Sequence, residues 1–318
     1  MAALPEPFNT TVQKIYDAYA EREEPRRRYL GPSTLSNDCD RALWYDFRWA
    51  TDPEKFSGRM LRLFDTGHRE ESRLIADLKR IGVHVREFDP ATGKQWEVKA
   101  CGGHIEGHMD GVLHGLPEAP TATHILECKT HNEKSFKALV TQGVKKAKPG
   151  HYRQMMIYMH LYGAERAFYL AQNKNTDELY GERVSYDALE AMQLFARMER
   201  IVTAAEPPPK LHEKPNPKTA RECEWCVKAD ICHGGEWAKR SCRTCLHSTP
   251  DTHQGGWRCE LGGFFIERET EATGCKSHLF IPGLVPGEQI DADAEANTVT
   301  YRLRTGGTWV DGKAEVAA

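Results

Sequence analysis

The chain has 318 residues, 28% of them charged, and a formal net charge of −3. This length suits one large domain or two modest ones, and no apolar run approaches the ~20 residues that a membrane span needs. The weakly acidic charge argues mildly against a nucleic-acid-binding protein, although a binding channel needs only local positive charge.

The first residues and the cysteine content bear on the cellular compartment. The opening stretch MAALPEPFNTTVQKIYD has no basic segment followed by an apolar one, so we expect no signal peptide and a cytoplasmic location. In a reducing compartment, ten cysteines favour metal ligation over disulfide bonds.

Hydrophobic periodicity predicts the elements of the N-terminal two thirds of the chain. Residues 1–57 form a helical segment with helices over 7–22 and 33–50, the second of which carries Cys39. A long amphipathic helix over 58–81, ended by Gly82, opens a core region of residues 58–206. Within this region we expect strands over 83–88, 95–101, 104–114, 123–131, 166–173 and 178–186, and helices over 135–147, 150–163 and 187–205.

The proline run at residues 207–209 is the clearest boundary in the chain. Residues 210–280 contain seven of the ten cysteines but too few large apolar residues for an ordinary core, so we expect this region to need metal to fold. It divides into a cysteine segment (207–237), a zinc-ribbon-like module (238–285) and a tail (286–318) with a hairpin around Gly306-Gly307.

Two acidic residues and a lysine are the candidate catalytic core. Asp110 ends a strand-like run, and the next strand carries Glu127, Cys128 and Lys129. Period-two alternation puts Glu127 and Lys129 on one face and Cys128 on the other. Carboxylate oxygens suit Mg²⁺ or Mn²⁺, which lowers the pKa of bound water and offsets charge on a phosphate. Lys129 would position or deprotonate that water or stabilise the phosphate; a surface salt bridge is the alternative.

Three positions on neighbouring helices support this core. His68 lies one helical turn before Glu71, and an imidazole among carboxylates favours Mn²⁺ over Mg²⁺; the alternative is a satisfied core histidine. Gln154 and Tyr158 share one face of a later helix, where they would bind phosphate or orient Lys129. Ordinary helix-surface polarity with a packed tyrosine is the other interpretation of that pair.

Four segments carry a family resemblance. TGHREE (66–71), GHMDG (107–111), LECKT (126–130) and QMMIY (154–158) resemble the successive motifs of the PD-(D/E)XK nuclease superfamily, RecB-like branch. With the cysteines discussed below, residues 33–235 resemble its iron–sulfur members, which are the CRISPR-associated RecB-like exonucleases, the AddB nuclease domain and phage relatives. The chain departs from the family name at Met109, where the motif has proline.

The resemblance implies a fold, an activity and roles for named residues. The fold would be α/β, with a restriction-endonuclease-like core whose central mixed sheet is flanked by helices, and a small metal-bound cysteine-rich module would follow. The activity would be a divalent-metal-dependent DNA exonuclease acting on single-stranded or resected DNA ends in recombination, repair or replication, in a bacterial or phage-infected cell. A recombination or replication protein would be a candidate partner. The implied metal ligands are His68, Asp110, Glu127 and the Cys128 backbone carbonyl, with Lys129 catalytic and Gln154 and Tyr158 supporting.

One cysteine set consists of Cys39, Cys223, Cys226 and Cys232. Four thiolates from separated segments can hold a 4Fe–4S cluster, which would tie the N-terminal helix to the C-terminal segment. We expect a structural role that shapes the DNA entrance. Zinc at the same four thiolates is the alternative, because a Cys₄ site serves both metals.

A second set consists of Cys242, Cys245, Cys259 and Cys275, whose spacing is typical of a zinc ribbon or knuckle. His278 is the credible substitute ligand. The leftover Cys101 and Cys128 are expected to be buried thiols.

The small module and the basic runs predict contacts with DNA. Arg240, Arg243 and Lys276, with Trp257, Phe264 and Phe265 as exposed aromatics, would grip single strands by stacking; a folding lid or protein-contact site is the alternative. Lys145, Lys146, Lys148 and Arg153 are further candidate DNA contacts, with a solvated surface as the alternative. The rival functions are a non-catalytic iron–sulfur and zinc nucleic-acid-binding protein, and an endonuclease of the same superfamily.

Overall fold

The computed structural model describes residues 10–22, 25–216 and 218–312. Its helices are α1 (Thr10–Ala20), α2 (Asp40–Phe47), α3 (Gly58–Arg80), α4 (Glu133–Ala147), α5 (Pro149–Tyr162), α6 (Ala188–Thr203) and α7 (Arg221–Glu224). Shorter helical turns span Pro32–Ser36, Cys101–Gly103, Asp230–Gly234, Cys242–Thr244 and Pro282–Leu284. None of the helices in the described ranges has the length and apolar character needed to cross a bilayer.

A mixed five-stranded sheet forms the centre of the fold. The first seven strands are β1 (His84–Arg86), β2 (Glu97–Ala100), β3 (Ile105–His108), β4 (Gly111–Leu116), β5 (Ala119–His131), β6 (Arg166–Asn173) and β7 (Leu179–Ser185). The order in the large sheet is β1-β4-β5-β6-β7, while β2 and β3 form a separate hairpin. β5 pairs antiparallel with β4 and parallel with β6, and the parallel pair is joined through α4 and α5. The expectation of a central mixed sheet flanked by helices is confirmed.

The two faces of β5 carry different residues, as the alternation predicts. Leu126 and Cys128 pack with Leu74 and Leu78 of α3 on one face. Ile125 belongs to the apolar cluster on the opposite face, which includes residues of α4 and α5. Glu127 and Lys129 therefore lie on the α4–α5 side of the sheet.

Side-chain caps fix where three of the helices begin. Ser57, Asn132 and Asp187 each accept a hydrogen bond from a backbone N–H in the first turn of α3, α4 and α6 respectively. Such caps satisfy one of the donors that a helix start leaves unpaired. The start of the helix expected over 135–147 is two residues earlier because Asn132 is its cap.

Two predicted elements are each divided in the structure. The helix expected over 33–50 consists of the turn Pro32–Ser36 and α2, separated by an extended stretch in which Cys39 is the N-cap of α2 rather than a helical residue. The strand expected over 104–114 is broken between β3 and β4, because Met109 is buried and donates its N–H to the Trp96 carbonyl at 2.9 Å. Asp110 lies directly at this break.

Only the C-terminal half of the predicted amphipathic helix, α3, enters the core. Leu74, Ile75 and Leu78 are buried against the sheet, whereas Phe64 remains exposed. Phe64 meets Phe56 edge to face, with ring centroids 5.1 Å apart. The N-terminal half of α3 therefore projects past the apolar centre of the sheet.

The C-terminal region shares a core with the N-terminal segment instead of building its own. Its strands are β8 (Ser248–Pro250), β9 (Trp257–Cys259), β10 (Phe264–Ile266), β11 (Gly287–Asp293), β12 (Thr298–Leu303) and β13 (Thr308–Asp311), in two three-stranded sheets. Trp44, Trp257 and Tyr301 lie in one buried cluster together with residues of α6. β12 and β13 pair antiparallel, with Gly306 and Gly307 in the turn that joins them.

Candidate active site

Asp110 and the β5 residues meet at the break between β3 and β4. The Asp110 carboxylate accepts the backbone N–H of Cys128 at 2.7 Å, which fixes it beside β5. Glu127 is fully buried, and its Oε1 accepts a hydrogen bond from Lys129 Nζ. The structure thus brings the three predicted catalytic residues together.

Helix α5 closes the site from the other side. Gln154 Nε2 donates to Glu127 Oε2 at 3.3 Å and to Tyr158 Oη at 3.1 Å, so both predicted supporting residues are connected to the carboxylate. The approach of α5 requires glycine at position 107 on β3, because a Cβ there would lie 2.5 Å from the Tyr158 ring and 3.0 Å from Pro32.

Helix α3 contributes one predicted residue and one that sequence reasoning left without a role. Burial raises the pKa of Asp110, and His68 is among the groups that act against this effect. His68 therefore lies near this carboxylate, although its side chain is exposed. Glu71, one turn further along α3, was noted beside His68 but was not assigned as a ligand. Its presence in the segment TGHREE was the available signal.

The three acids are electrostatically linked. Burial, opposed by the charge of Lys129 and aided by the charges of Asp110 and Glu71, raises the pKa of Glu127 to about 7. Burial and the charge of Asp110 raise the pKa of Glu71 to about 7. Burial also raises the pKa of Asp110. For Lys129, burial acts to lower the pKa, but Glu127 and Asp110 outweigh it and hold the pKa above its usual value. Lys129 is therefore a cation in this arrangement.

The chemistry of these donors suits a divalent cation. Among the described residues, however, no three ligand atoms of this group lie within 4.8 Å of one another. The raised pKa values of Glu71 and Glu127, about 7 each, mean that burial and mutual repulsion disfavour three full negative charges here. A bound cation would relieve this repulsion. Oxygen donors of this kind are the ligands of Mg²⁺ and Mn²⁺, and the imidazole of His68 favours Mn²⁺.

A second acidic group lies on the β2–β3 hairpin. Among the described residues, Glu97, Glu106 and His108 have ligand atoms that all lie within 4.8 Å of one another. They are cross-strand neighbours. Lys99 bridges the two carboxylates and offsets one of their two charges, with Nζ 2.9 Å from Glu97 and 3.5 Å from Glu106. We therefore interpret this group as a charge ladder on the hairpin.

Several predicted DNA contacts are engaged in bonds within the chain. Lys145 Nζ lies 2.7 Å from Glu190, and Lys148 Nζ donates to Ser135 Oγ. Arg153 donates to Asp38 at 2.6 Å and to the Leu35 carbonyl at 2.9 Å. Lys146 is exposed. Contact of these groups with DNA stays a prediction.

The first cysteine set is gathered across the chain. Burial raises the pKa of Cys223, and the charges of Cys39, Cys226 and Cys232 raise it further. Burial also raises the pKa of Cys232, which lies near Arg41. Four sulfurs that influence one another in this way are a plausible donor set for a cluster or for zinc.

The second set is gathered in the same manner. Burial raises the pKa of Cys242, with further contributions from Cys275 and Cys259, and burial raises the pKa of Cys245 to about 11, with further contributions from Cys275 and Cys242. Both ring nitrogens of the buried His278 lack a hydrogen-bond partner among the described residues. An unpaired buried imidazole is costly unless it has a ligand, so His278 stays a candidate ligand. Among the described residues, neither cysteine set has three donor atoms within 4.8 Å of one another, and metal binding by the cysteines stays a prediction.

Two residues proposed for strand stacking are unsuited to it. Trp257 is fully buried, where it packs with Phe47 at a centroid distance of 5.3 Å. Arg243 is also buried, pairs with Glu271 at 3.0 Å and lies 3.9 Å from the centroid of the Trp49 ring. Both serve the junction between the C-terminal and N-terminal segments.

The other members of that group and the leftover thiols are placed differently. Phe264 and Phe265 are exposed, as expected, on β10. Arg240 donates to the Cys275 carbonyl at 2.7 Å. Cys128 is buried, whereas Cys101 is only half-buried.

Comparisons with protein-family models and with curated proteins give no match. Among solved structures, the chain is similar to SSO0001, with a TM-score of 0.40, 14% identity, and coverage of 70% of this chain and 94% of that one. It is also similar to the alkaline exonuclease LHK-Exo from Laribacter hongkongensis (TM-score 0.41, 12% identity, coverage 59% and 90%). The LHK-Exo complex with dAMP gives a TM-score of 0.36, with 13% identity and coverage of 59% and 90%. Similarity at this level assigns no activity, so the argument for function depends on the site.

Proposed function

We propose that the protein is a divalent-metal-dependent DNA nuclease, and specifically an exonuclease acting on DNA ends. The observation that carries the proposal is the proximity of Asp110, Glu127 and Lys129 to one another and to the carboxyl group of Glu71, in a buried place where the carboxyl groups repel one another. A protein that only binds nucleic acid has no use for buried carboxylates where a phosphate must approach.

Asp110 and Glu127 would hold Mg²⁺ or Mn²⁺, with His68 and the Cys128 carbonyl as further ligands. Such an ion supplies an activated water and neutralises charge on the phosphate. Gln154 and Tyr158 keep Glu127 in place through the hydrogen bonds described above. Lys129, held in its charged form, would stabilise the negative charge that develops on the phosphate.

The two cysteine sets would hold the remaining cofactors. Cys39, Cys223, Cys226 and Cys232 would bind a 4Fe–4S cluster, and Cys242, Cys245, Cys259 and Cys275 would bind Zn²⁺. His278 would serve as a substitute ligand. Both assignments rest on the gathered thiols and on the chemistry of Cys₄ sites.

End-labelled linear DNA and circular single-stranded DNA test the proposal together. Both are incubated with Mn²⁺, with Mg²⁺ and with EDTA. We expect nucleotides to be released from linear DNA only with metal, while circles remain intact. Cut circles would identify an endonuclease, and intact linear DNA in every condition would favour a non-catalytic binding protein.

Participation in recombination, repair or replication belongs to the same proposal. It follows from the resemblance of the four motif segments to RecB-like nucleases, as does an interaction with a recombination or replication protein. Purifying the protein with its cellular partners under conditions that preserve the cluster would test it.

A further inference from the structure

A line of hydrogen-bonded side chains continues beyond the candidate active site. His131 lies two residues after Lys129 on β5, so it faces the same side of the sheet. Tyr169, which pairs in register with Glu127 on β6, faces that side too. Tyr169 Oη lies 2.8 Å from His131 Nε2 and 2.8 Å from His151 Nδ1.

The line reaches the surface through two more residues. His131 Nδ1 lies 3.2 Å from Ser135 Oγ. Ser135 Oγ also accepts a hydrogen bond from Lys148 Nζ. His131 and Tyr169 are buried, whereas Ser135, Lys148 and His151 are half-buried. The two ends of the line are therefore accessible and its centre is not.

Lys148 can only donate, so the Ser135 oxygen accepts from it. In a cooperative chain each hydroxyl both accepts and donates, and the Ser135 hydroxyl then donates to His131 Nδ1. Neutral His131 then carries its hydrogen on Nε2 and donates to Tyr169. Tyr169 in turn donates to His151 Nδ1, which leaves the hydrogen of neutral His151 on Nε2.

In this cooperative arrangement both ends of the line present N–H donors. Lys148 keeps two N–H groups and His151 keeps its Nε2–H. Burial, with nearby lysines, lowers the pKa of His131 to about 4 and that of His151 to about 3, which agrees with neutral rings.

The charge around the two histidines is positive, whereas Glu127 and Glu182 act on Tyr169 between them. Lys129 and Lys148 act on both histidines, and Lys174, after β6, acts on His131. The carboxylate of Glu133 in the first turn of α4 is paired with Lys137 and with Asn173. The first turns of α4 and α5 also begin here, and helix N-termini favour anions.

We propose that Lys148 and His151 form a phosphate subsite next to the candidate active site, which takes a backbone phosphate of the strand being cut. Ser135, His131 and Tyr169 are positioning residues that set the donor ends. This inference deepens the proposed function and rests on it for the identity of the anion as a nucleic-acid phosphate.

Binding to oligonucleotides that each carry one neutral methylphosphonate linkage tests the subsite without cleavage. Affinity is measured in EDTA for the wild type and for Lys148→Ala. At one internal linkage we expect neutralisation to weaken wild-type binding about tenfold but to weaken Lys148→Ala binding less than twofold. The salt dependence of Lys148→Ala should also be shallower, by about 0.7 in the log–log slope expected for one phosphate contact on a single strand.

Lys134→Ala is the matched control, because Lys134 is exposed on α4 beside Ser135 and lies outside the line. In Lys134→Ala, neutralising that linkage should weaken binding about tenfold, as it does in the wild type. Ser135→Ala is a second variant, which keeps the charge of Lys148. It should reduce the loss of affinity at the neutral linkage without changing the salt dependence of binding. The subsite assignment is overturned if Lys148→Ala leaves the loss of affinity unchanged at every internal linkage. It is also overturned if Lys148→Ala changes only the contribution of a 5′- or 3′-terminal phosphate.

Histidine ring NMR adds a readout that needs no DNA. The variants His131→Gln and His151→Gln identify which ring resonances belong to each histidine. Titration with inorganic phosphate should then shift the His151 and His131 resonances of the wild type. Tyr169→Phe should change the tautomer of His151. Unmoved His151 signals would contradict the proposal. If Lys148→Ala and one neutral linkage affect binding together but no DNA is cleaved, the proposed nuclease function is wrong and the subsite remains. If DNA is cleaved but the two changes act independently, only the subsite is wrong.

Discussion

At the residue scale, the structure limits the possible catalytic roles of Lys129. Its ammonium donates to the buried Glu127 and its pKa is held high by two carboxylates. A lysine in that state is a poor base, so its contribution is to stabilise charge rather than to remove a proton from water.

Lys129→Ala should therefore remove catalysis and leave binding. We expect metal-dependent release of nucleotides to fall by about 10²-fold or more, as for the loss of one well-placed donor, while the affinity for DNA changes little. Lys129→Arg, which keeps the charge, should retain measurable cleavage. Full activity of Lys129→Ala in a preparation free of other nucleases would exclude Lys129 from the reaction.

Glu71 gives a second prediction, on stability against pH. Its pKa is raised to about 7 from a usual value near 4.5, so between those values the folded chain binds more protons than the unfolded chain. Its contribution to stability is therefore lost as the pH rises through that window. We expect the melting temperature of the wild type in EDTA to fall relative to that of Glu71→Gln between about pH 5 and pH 8.

The comparison with Glu71→Gln is necessary because other groups titrate in the opposite sense. The pKa values of His131 and His151 are lowered, so these rings make the chain more stable as the pH rises. The difference between the two melting curves cancels that effect. A difference that stays constant with pH, or that grows in favour of the wild type, would show that Glu71 is not buried near Asp110.

At the element scale, the position of α5 depends on the absence of a side chain at residue 107. Gly107→Ala would push the Tyr158 ring or Pro32 away, and such overpacking costs about 1–3 kcal/mol. Because Tyr158 and Gln154 move with α5, cleavage should fall as well. Chemical denaturation and a nuclease assay measure the two effects.

Gly67→Ala is the matched control for that substitution. Gly67 lies inside α3 and a Cβ there would meet nothing within 4 Å, so alanine should stabilise the helix by up to about 1 kcal/mol. Equal effects of the two substitutions on unfolding would mean that the close approach of α5 to β3 is absent.

Local periodicity was sufficient to predict the face of β5. Alternation along one strand placed Glu127 and Lys129 together, and the order of elements placed Gln154 and Tyr158 on the helix above them. Neither inference needed knowledge of distant contacts. This is why the central part of the candidate site could be predicted from the sequence.

Other parts depend on how elements pack, which local pattern does not contain. The hydrophobic periodicity of α3 could not show that Phe64 would stay exposed, because its exposure depends on where the helix crosses the sheet. Trp257 and Arg243 were expected at the surface, yet they are buried by residues more than 190 positions earlier in the chain, including Phe47. Long-range packing of this kind overrides composition.

At the scale of the whole molecule, α5 connects the candidate active site with the first cysteine set. Gln154 reaches Glu127 on one side, while the adjacent Arg153 holds Asp38, next to Cys39. Arg197 of α6 holds Asp40 on the other side of Cys39 at 2.6 Å. Loss of a metal at these thiols would therefore disturb the helix that positions Glu127.

Substitution of single cysteines separates the two proposed metals. Anaerobically purified wild type should be brown and contain iron and zinc. Cys223→Ser should lose the iron and its colour but keep zinc, and Cys242→Ser should lose zinc but keep iron, because the two sets have separate ligands. Cys101→Ser is the matched control and should keep both metals; the half-buried Cys101 thiol contacts Glu199 at 3.9 Å.

Because the first set is tied to α5, Cys223→Ser should also lower the rate of cleavage and the melting temperature. A colourless wild type containing only zinc would assign zinc to both sets, and loss of both metals from either variant would mean that the sets exchange ligands.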